Sequence, residues 1–293
     1  MQPTLERAIS LEHALELRRQ GFVPLAGATD IYPNMLPRLG KSPPTQQPYV
    51  DMSSVPGLNT IRLTEECVEL GCMATWTDIA KTRLPRSCFA LQQAAIEIGG
   101  VQIQNQATLG GNICNASPAA DGVAALLALD AMVVLRSKEK TRKLLISEFV
   151  LGNRTTALRS DELLTSVEIP LSMDRTSSSF SKIGGRKYLI IAIASAAARL
   201  QCAAGVITRA SVAVGACSAV PSRLDALETW LVGRPVTPAV PLVFDADGFL
   251  SQLKPIDDVR ATKSFRLDAA GVLVRRALRA CLMDLASRPT DRE

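Results

Sequence analysis

Two short runs of small and hydroxyl-bearing residues, far apart in sequence, most constrain how this chain can fold. The first is Ala26-Gly27-Ala28-Thr29-Asp30. The second is Thr108-Leu109-Gly110-Gly111-Asn112, which leads into Ala116-Ser117-Pro118 and Asp121. Glycine lets a backbone approach an anion closely and adopt unusual torsions. Consecutive N–H groups then form an anion-binding concavity, to which Thr29, Thr108 and Asn112 can add side-chain donors. Brought together by the fold, the two runs would grip a pyrophosphate from both sides. Each run taken singly is also an ordinary turn, and the residues alone leave both readings open. Neither run has the spacing G-x-G-x-x-G or G-x-x-x-x-G-K-[ST], which disfavours a Rossmann dinucleotide site and a Walker NTPase.

The chain has 293 residues, enough for about two domains of ordinary size. Apolar residues make up 47% and charged residues 21%, which excludes wholesale disorder. The strongly apolar stretches 189–198 and 123–135 are too short to span a membrane, and the second contains Asp130. The net charge of +5 is scattered, and its densest cluster, Arg136 to Lys143, reads as a solvated hairpin tip. Aromatics at 4% are too sparse for base stacking, so no nucleic-acid partner is expected. Seven cysteines without any Cys-x-x-Cys show neither a disulfide framework nor a zinc or iron–sulfur ligand set. With no secretory or transit segment expected either, a cytoplasmic location follows. The single histidine, His13, reads as lying on an exposed helix, and removes triad and histidine-metal chemistry. An enzyme of this composition would rely on a bound cofactor.

Along the chain, residues 11–19 read as an amphipathic helix with Ser10 as N-cap and Gly21 at its end. Phe22 to Ala26 reads as a short strand, with a helix restarting from Ile31. The Pro-rich stretch 41–48 is a loop. Strands are expected at 49–52, 60–63 and 68–73. Thr77 reads as the cap of a short helix, and 87–98 as a longer helix ended by Gly99-Gly100. Residues 101–115 show no clear periodicity and read as loop. Pro118 suits the first turn of a helix running to about Leu129. A hairpin follows at 132–146, then a strand at 163–169. The Ser-rich segment 173–179 reads as a polar join and marks a domain boundary. Beyond it, 180–183, 191–200 and 207–216 read as strands, the Ala-rich second being ambiguous with helix. Segments 223–231 and 269–285 read as helices.

At the two runs the sequence resembles the FAD-binding medium subunit of molybdenum hydroxylases, the xanthine dehydrogenase, carbon monoxide dehydrogenase and aromatic hydroxylase group. That family carries A-G-G-T-D, then Q-I-R-N-x-x-T-x-G-G-N, then A-S-P-x-x-D. Here these stand as Ala26 to Asp30, as Gln102-Ile103-Gln104-Asn105 through Thr108 to Asn112, and as Ala116-Ser117-Pro118 with Asp121. The likeness continues through 126–131, 162–164 and Ile169-Pro170 to Lys182, Arg186 and Phe265-Arg266.

The resemblance implies an α+β fold. Its FAD-binding part is of the vanillyl-alcohol-oxidase (PCMH) type, with two α/β subdomains in residues 1–174. A C-terminal domain of three-stranded antiparallel sheet and helices occupies 175–293. It implies that Leu25 to Ile31 and Thr108 to Asn112 hold the FAD pyrophosphate and neighbouring groups. Ser117 and Asp121 would sit at the cofactor, with Asp121 accepting from a hydroxyl. Ile98 and Ile191 would border the flavin ring, Leu164 would line the adenine side, and Lys182 would stand near the cofactor. Without the resemblance, Ile98 and Leu164 read equally as core and Lys182 as surface charge. The implied partners are a large molybdopterin-containing subunit and a small 2Fe-2S subunit, in a heterotrimer or its dimer. Electrons from their iron–sulfur clusters would pass through the flavin to NAD, oxygen or another acceptor.

Three departures stand out. Ala28 replaces a glycine, which matters if that position needs positive φ. Gln104 replaces a basic residue, and Ile190-Ile191 stand where an acid often precedes an aromatic or aliphatic residue. Two other readings remain: a stand-alone flavin reductase or oxidase of the same superfamily, and a structural subunit with weakened FAD binding.

Overall fold

The first helix starts where a side chain can satisfy its free N–H groups. The Ser10 hydroxyl accepts from the His13 N–H at 3.1 Å and opens α1 (Leu11–Arg19), and Gly21 leaves the helix at φ +90°. His13 itself is half-buried rather than exposed. These details come from a computed structural model that describes residues 4–35, 47–185, 191–237 and 246–288. The expectations at Arg186, at Ile190 and for most of the loop 41–48 fall outside the described residues.

α1 crosses between β1 (Leu5–Arg7) and β2 (Val23–Leu25), as parallel pairing requires. Both strands pair with β3 (Tyr49–Asp51) in a parallel sheet of order β1-β3-β2, and the short α2 (Ile31–Met35) follows β2.

A second, antiparallel sheet is built from β4 (Ile61–Leu63), β5 (Cys67–Gly71), β6 (Met132–Arg136) and β7 (Thr141–Leu145). After a small hairpin of β8 (Val150–Gly152) and β9 (Thr155–Thr156), β10 (Leu163–Pro170) enters its centre, giving the order β4-β5-β10-β6-β7. Val68, Leu70, Val133, Leu135, Val167 and Ile169 alternate into one core, as period-two patterning demands.

The helices of this part are α3 (Trp76–Lys81), α4 (Phe89–Glu97), α5 (Val101–Gln106), α6 (Leu109–Asn115), α7 (Asp121–Ala128) and α8 (Ile146–Phe149). Three expectations need correction here. The cap of α3 is Thr75, not Thr77: Thr75 and Asp78 form a reciprocal capping box, with bonds of 3.1 and 2.9 Å. Residues 101–115 are two helices, not a loop. α5 buries no side chain, so it leaves no apolar rhythm to read. α7 begins at Asp121 rather than Pro118, because Ala116 sits in the left-handed region at φ +46° and a turn intervenes. All eight residues of α7 are buried.

The C-terminal part is an antiparallel sheet of β11 (Arg175–Ile183), β12 (Ala194–Ala203) and β13 (Val206–Gly215), with a two-residue fourth strand, β14 (Ser222–Arg223). The polar join expected at 173–179 is, from Arg175 onward, the first of these strands. Thr176 to Ser179 are buried, and at Ser178 the hydroxyl is satisfied locally: it accepts from the Ala90 N–H and donates to the Arg86 carbonyl. The ambiguous Ala-rich segment is strand from Ala194. Its even-numbered residues 194–200 face a core with α11 (Lys263–Ala286), while Ala197 joins the core of the preceding part. Helices α9 (Asp225–Leu231) and α10 (Ala246–Leu250) complete the order. Arg199, 3% exposed, reaches across to the carbonyl oxygens of Leu129 and Pro170 at 2.9 and 2.7 Å. No described helix is long and apolar enough to cross a membrane.

Candidate functional site

The two runs meet. A Cβ on Gly27 would lie 2.0 Å from the Gln106 carbonyl oxygen, so the backbones touch where only glycine fits. A Cβ on Gly111 would lie 3.9 Å from the Ala26 methyl and 3.0 Å from Thr108 Oγ1. Arg154 adds a bridge, 3.9 Å from Asp30 and bonded to Asn115 at the end of α6.

The N–H groups of the two runs are used differently. In the second run, Leu109 donates to the Ala74 carbonyl, Gly110 to Cys72, Gly111 to Thr108 Oγ1 and Asn112 to the Thr108 carbonyl. Thr108 is thus a helix cap, and the expected concavity of free amides is absent there. In the first run, the N–H groups of Gly27, Ala28 and Thr29 have no acceptor among the described residues. Ala28 sits at φ +56°, and such a left-handed kink makes successive N–H groups converge.

That torsion costs a non-glycine residue about 1–2 kcal/mol. Ala28→Gly removes the strain but frees the unfolded chain by about 0.4–1 kcal/mol. The expected net gain is about 0.5 kcal/mol in a urea titration.

A second group of side chains adjoins the first. The Asn112 side-chain oxygen is buried without a partner and stands where a Cβ on Gly122 would come within 2.8 Å. Next to Gly122, Asp121 opens α7. Its Oδ2 accepts from Lys182 Nζ at 2.5 Å, while Oδ1 has no partner among the described residues. Lys182 also donates to the Glu97 carbonyl at 3.0 Å. Both side chains are nearly sealed, at 6% and 5% exposure. Burial pushes the Asp121 carboxyl up to about 6, against the opposing pull of Lys182. Lys182 is therefore a buried partner, not surface charge.

Of the remaining expected residues, Ile98 is half-buried next to Glu97, and Ile191 is 52% exposed just before β12. Leu164 is buried on β10, which is linked to α6 through Cys72: the Cys72 N–H donates to Thr165, and the Cys72 carbonyl accepts from Gly110. Ser117 closes the turn before α7 by accepting from the Ala119 N–H. Sequence reasoning missed Arg154 and Ser195. Ser195 faces Lys182 across the β11–β12 ladder, a relation that exists only once the strands pair. An open groove of about 580 Å³ between Leu63, Pro85, Met173 and Arg288 shares no lining residue with this site.

The donor set fits a flavin dinucleotide. Three free N–H groups suit an anion, and two unpartnered buried oxygens suit hydroxyl or imide donors. Among the described residues, no three His, Cys, Asp or Glu side chains converge to hold a metal ion.

Comparison with known proteins agrees. Residues 2–172 match the family described as FAD binding domain in molybdopterin dehydrogenase, and residues 179–281 match the CO dehydrogenase flavoprotein C-terminal domain. The chain is 34% identical over 239 residues to the nicotinate dehydrogenase FAD-subunit of Eubacterium barkeri, covering 80% of this chain and 79% of that one. It is 26% identical over 261 residues to the carbon monoxide dehydrogenase medium chain of Hydrogenophaga pseudoflava, covering 87% and 88%. The structure of reconstituted CO dehydrogenase from Oligotropha carboxidovorans superposes with a TM-score of 0.87 at 26% identity, covering 97% of this chain and 99% of its counterpart. With both halves of the sequence and the whole fold in agreement, this chain belongs to the family of FAD-binding subunits of molybdenum hydroxylases.

Proposed function

We propose that this chain is the FAD-binding electron-transfer subunit of a multi-subunit molybdenum hydroxylase in the cytoplasm. Residues 1–174 form the FAD-binding domain and 175–293 the C-terminal domain. The observation that carries the reading is the contact of the two glycine runs beside three unused N–H groups. Those of Gly27, Ala28 and Thr29 hold the pyrophosphate, and the Thr29 and Thr108 hydroxyls add donors. Leu25, Ala26, Asp30 and Ile31 frame that run, and Leu109, Gly110 and Gly111 keep the second run flush against it. Asn112 and Asp121 accept from hydroxyl or imide groups, with Ser117 holding the turn between them. Ile98 and Ile191 flank the ring, and Leu164 lines the adenine side.

Bound FAD supplies a two-electron store that can be filled and emptied one electron at a time. The chain's own residues bind it, orient it and keep its polar groups paired. Substrate oxidation belongs to a molybdopterin-containing large subunit. A 2Fe-2S small subunit delivers the electrons, and NAD, oxygen or another acceptor takes them away. Ala28 already holds the left-handed torsion that this grip needs, so its strain falls on the stability of the chain rather than on the hold on the pyrophosphate.

The test is spectroscopic. Purified with its partners, the chain should show a flavin band that bleaches when substrate of the large subunit is added. A colourless flavin region with the other centres full would sink the proposal.

A further inference from the structure

A buried carboxylate is stable when donors reach both of its oxygens. Asp121 has only half of that set. Lys182 serves Oδ2, and Oδ1 is unpartnered among the described residues. Ser195 lies directly across from Lys182 in the β11–β12 register and is 1% exposed. Its hydroxyl closes no well-formed hydrogen bond, yet it stands near enough to Asp121 to favour the charged carboxylate. Room for that hydroxyl exists because Ser195's partner on β13 is Gly215, where a Cβ would lie 2.5 Å from Ser195 Oγ.

The groups around Asp121 come from every neighbouring element. β11 gives Lys182, α4 gives Glu97, β12 gives Ser195, β13 gives Gly215 and α6 gives Asn112. The rest of α7 carries no ionisable side chain. Two species can complete Oδ1: a hydroxyl or imide donor of the flavin dinucleotide, or a proton. A proton there turns the acceptor into a donor, so the two compete.

We propose that flavin uptake at this seam expels a proton from Asp121, with Lys182 and Ser195 as the positioning residues that set the balance. The inference rests on the function proposed above.

Its direction follows from the groups themselves. Burial first, and the Glu97 charge after it, raise the Asp121 carboxyl, while Lys182 and Ser195 oppose the rise, leaving it at about 6. In the empty chain the proton is therefore held below about pH 6 and lost as pH rises through that value. The stabilisation that comes with the proton is present in acid and lost over the same rise. A donor on Oδ1 favours the charged form and pulls the carboxyl back toward its ordinary range. Cofactor affinity thus climbs with pH up to about 6 and then levels.

The experiment titrates FAD-free full chain with FAD calorimetrically, in buffers of different ionisation enthalpy. The expected result is near one proton released per FAD at about pH 5 and almost none at about pH 7.5, with affinity about tenfold weaker at the lower pH. Asp121→Asn should abolish the proton release and flatten the profile. Ser195→Ala should move the midpoint to higher pH, which a purely structural role would not do. Uptake without proton release, equal affinity at both pH values, or an unmoved midpoint in Ser195→Ala overturns the proposal and leaves the proposed function standing. A folded chain that takes up no FAD at any pH overturns the function itself.

Discussion

Gly111→Asp should yield a folded chain that no longer retains FAD. Gly111 is the third residue of α6 and has no positive φ, so an L side chain is tolerated by the backbone. An acid in the first turn of a helix is even favourable, by about 0.3–1 kcal/mol. The new side chain would leave the helix toward Ala26, into the space between the two runs. There a carboxylate meets the pyrophosphate, and like charges brought together cost several kcal/mol, equivalent to at least about a hundredfold in affinity. Flavin content after gel filtration, with circular dichroism as the check on folding, decides the matter. Full flavin content would remove the second run from the site. Gly111→Ala is the companion variant and should keep its flavin, since only Thr108 Oγ1 at 3.0 Å must give way.

Gly27→Ala should be more damaging although the change is smaller. The added methyl would stand 2.0 Å from the Gln106 carbonyl oxygen and 2.9 Å from Ala107 Cα. Both are backbone atoms, so no side chain can swing aside and the two runs must separate. Overpacking of this kind costs about 1–3 kcal/mol. Here it also pries the first run away from the backbone that leads into the second, so flavin loss should accompany a lowered urea midpoint. A chain with normal stability and normal flavin content would show that the contact is not needed.

How much of this was legible in sequence varies with how local the cause is. Ser10, α1 and Gly21 were readable because cap, apolar face and stop lie within one short stretch. The strands of the second sheet were readable from alternation. α5 reads as loop because it buries no side chain and so carries no helical stripe. α7 is legible as a helix, but its start is read three residues early because the turn after Ala116 leaves no sequence signal. The serines before Phe180 looked like a linker because composition does not reveal that Ser178 would find the Ala90 N–H and the Arg86 carbonyl.

The site divides in the same way. Both runs stood out through their glycines. Which of them offers free N–H groups did not, since Leu109 and Gly110 spend theirs on Ala74 and Cys72, partners supplied only by the tertiary fold. Asp121 and Lys182 were pointed out by family likeness, and their burial as a pair emerged only from the packing of α7 against β11 and β12. The value of Ala28 as a strained residue was anticipated as a condition and is met at φ +56°.

The alanines of β12 have a consequence of their own. Helices lie on both sides of this strand, and on the α7 side it presents only hydroxymethyl and methyl groups, at Ser195 and Ala197, before Arg199 reaches the far end of α7 at Leu129. The strand therefore acts as a thin shim whose thickness sets how deeply the Asp121 end of α7 is seated. Enlarging a single shim residue would tilt that end without altering any atom proposed to touch FAD. Relatives could in this way retune one cofactor pocket from the far half of the chain, by changing a gauge rather than a contact.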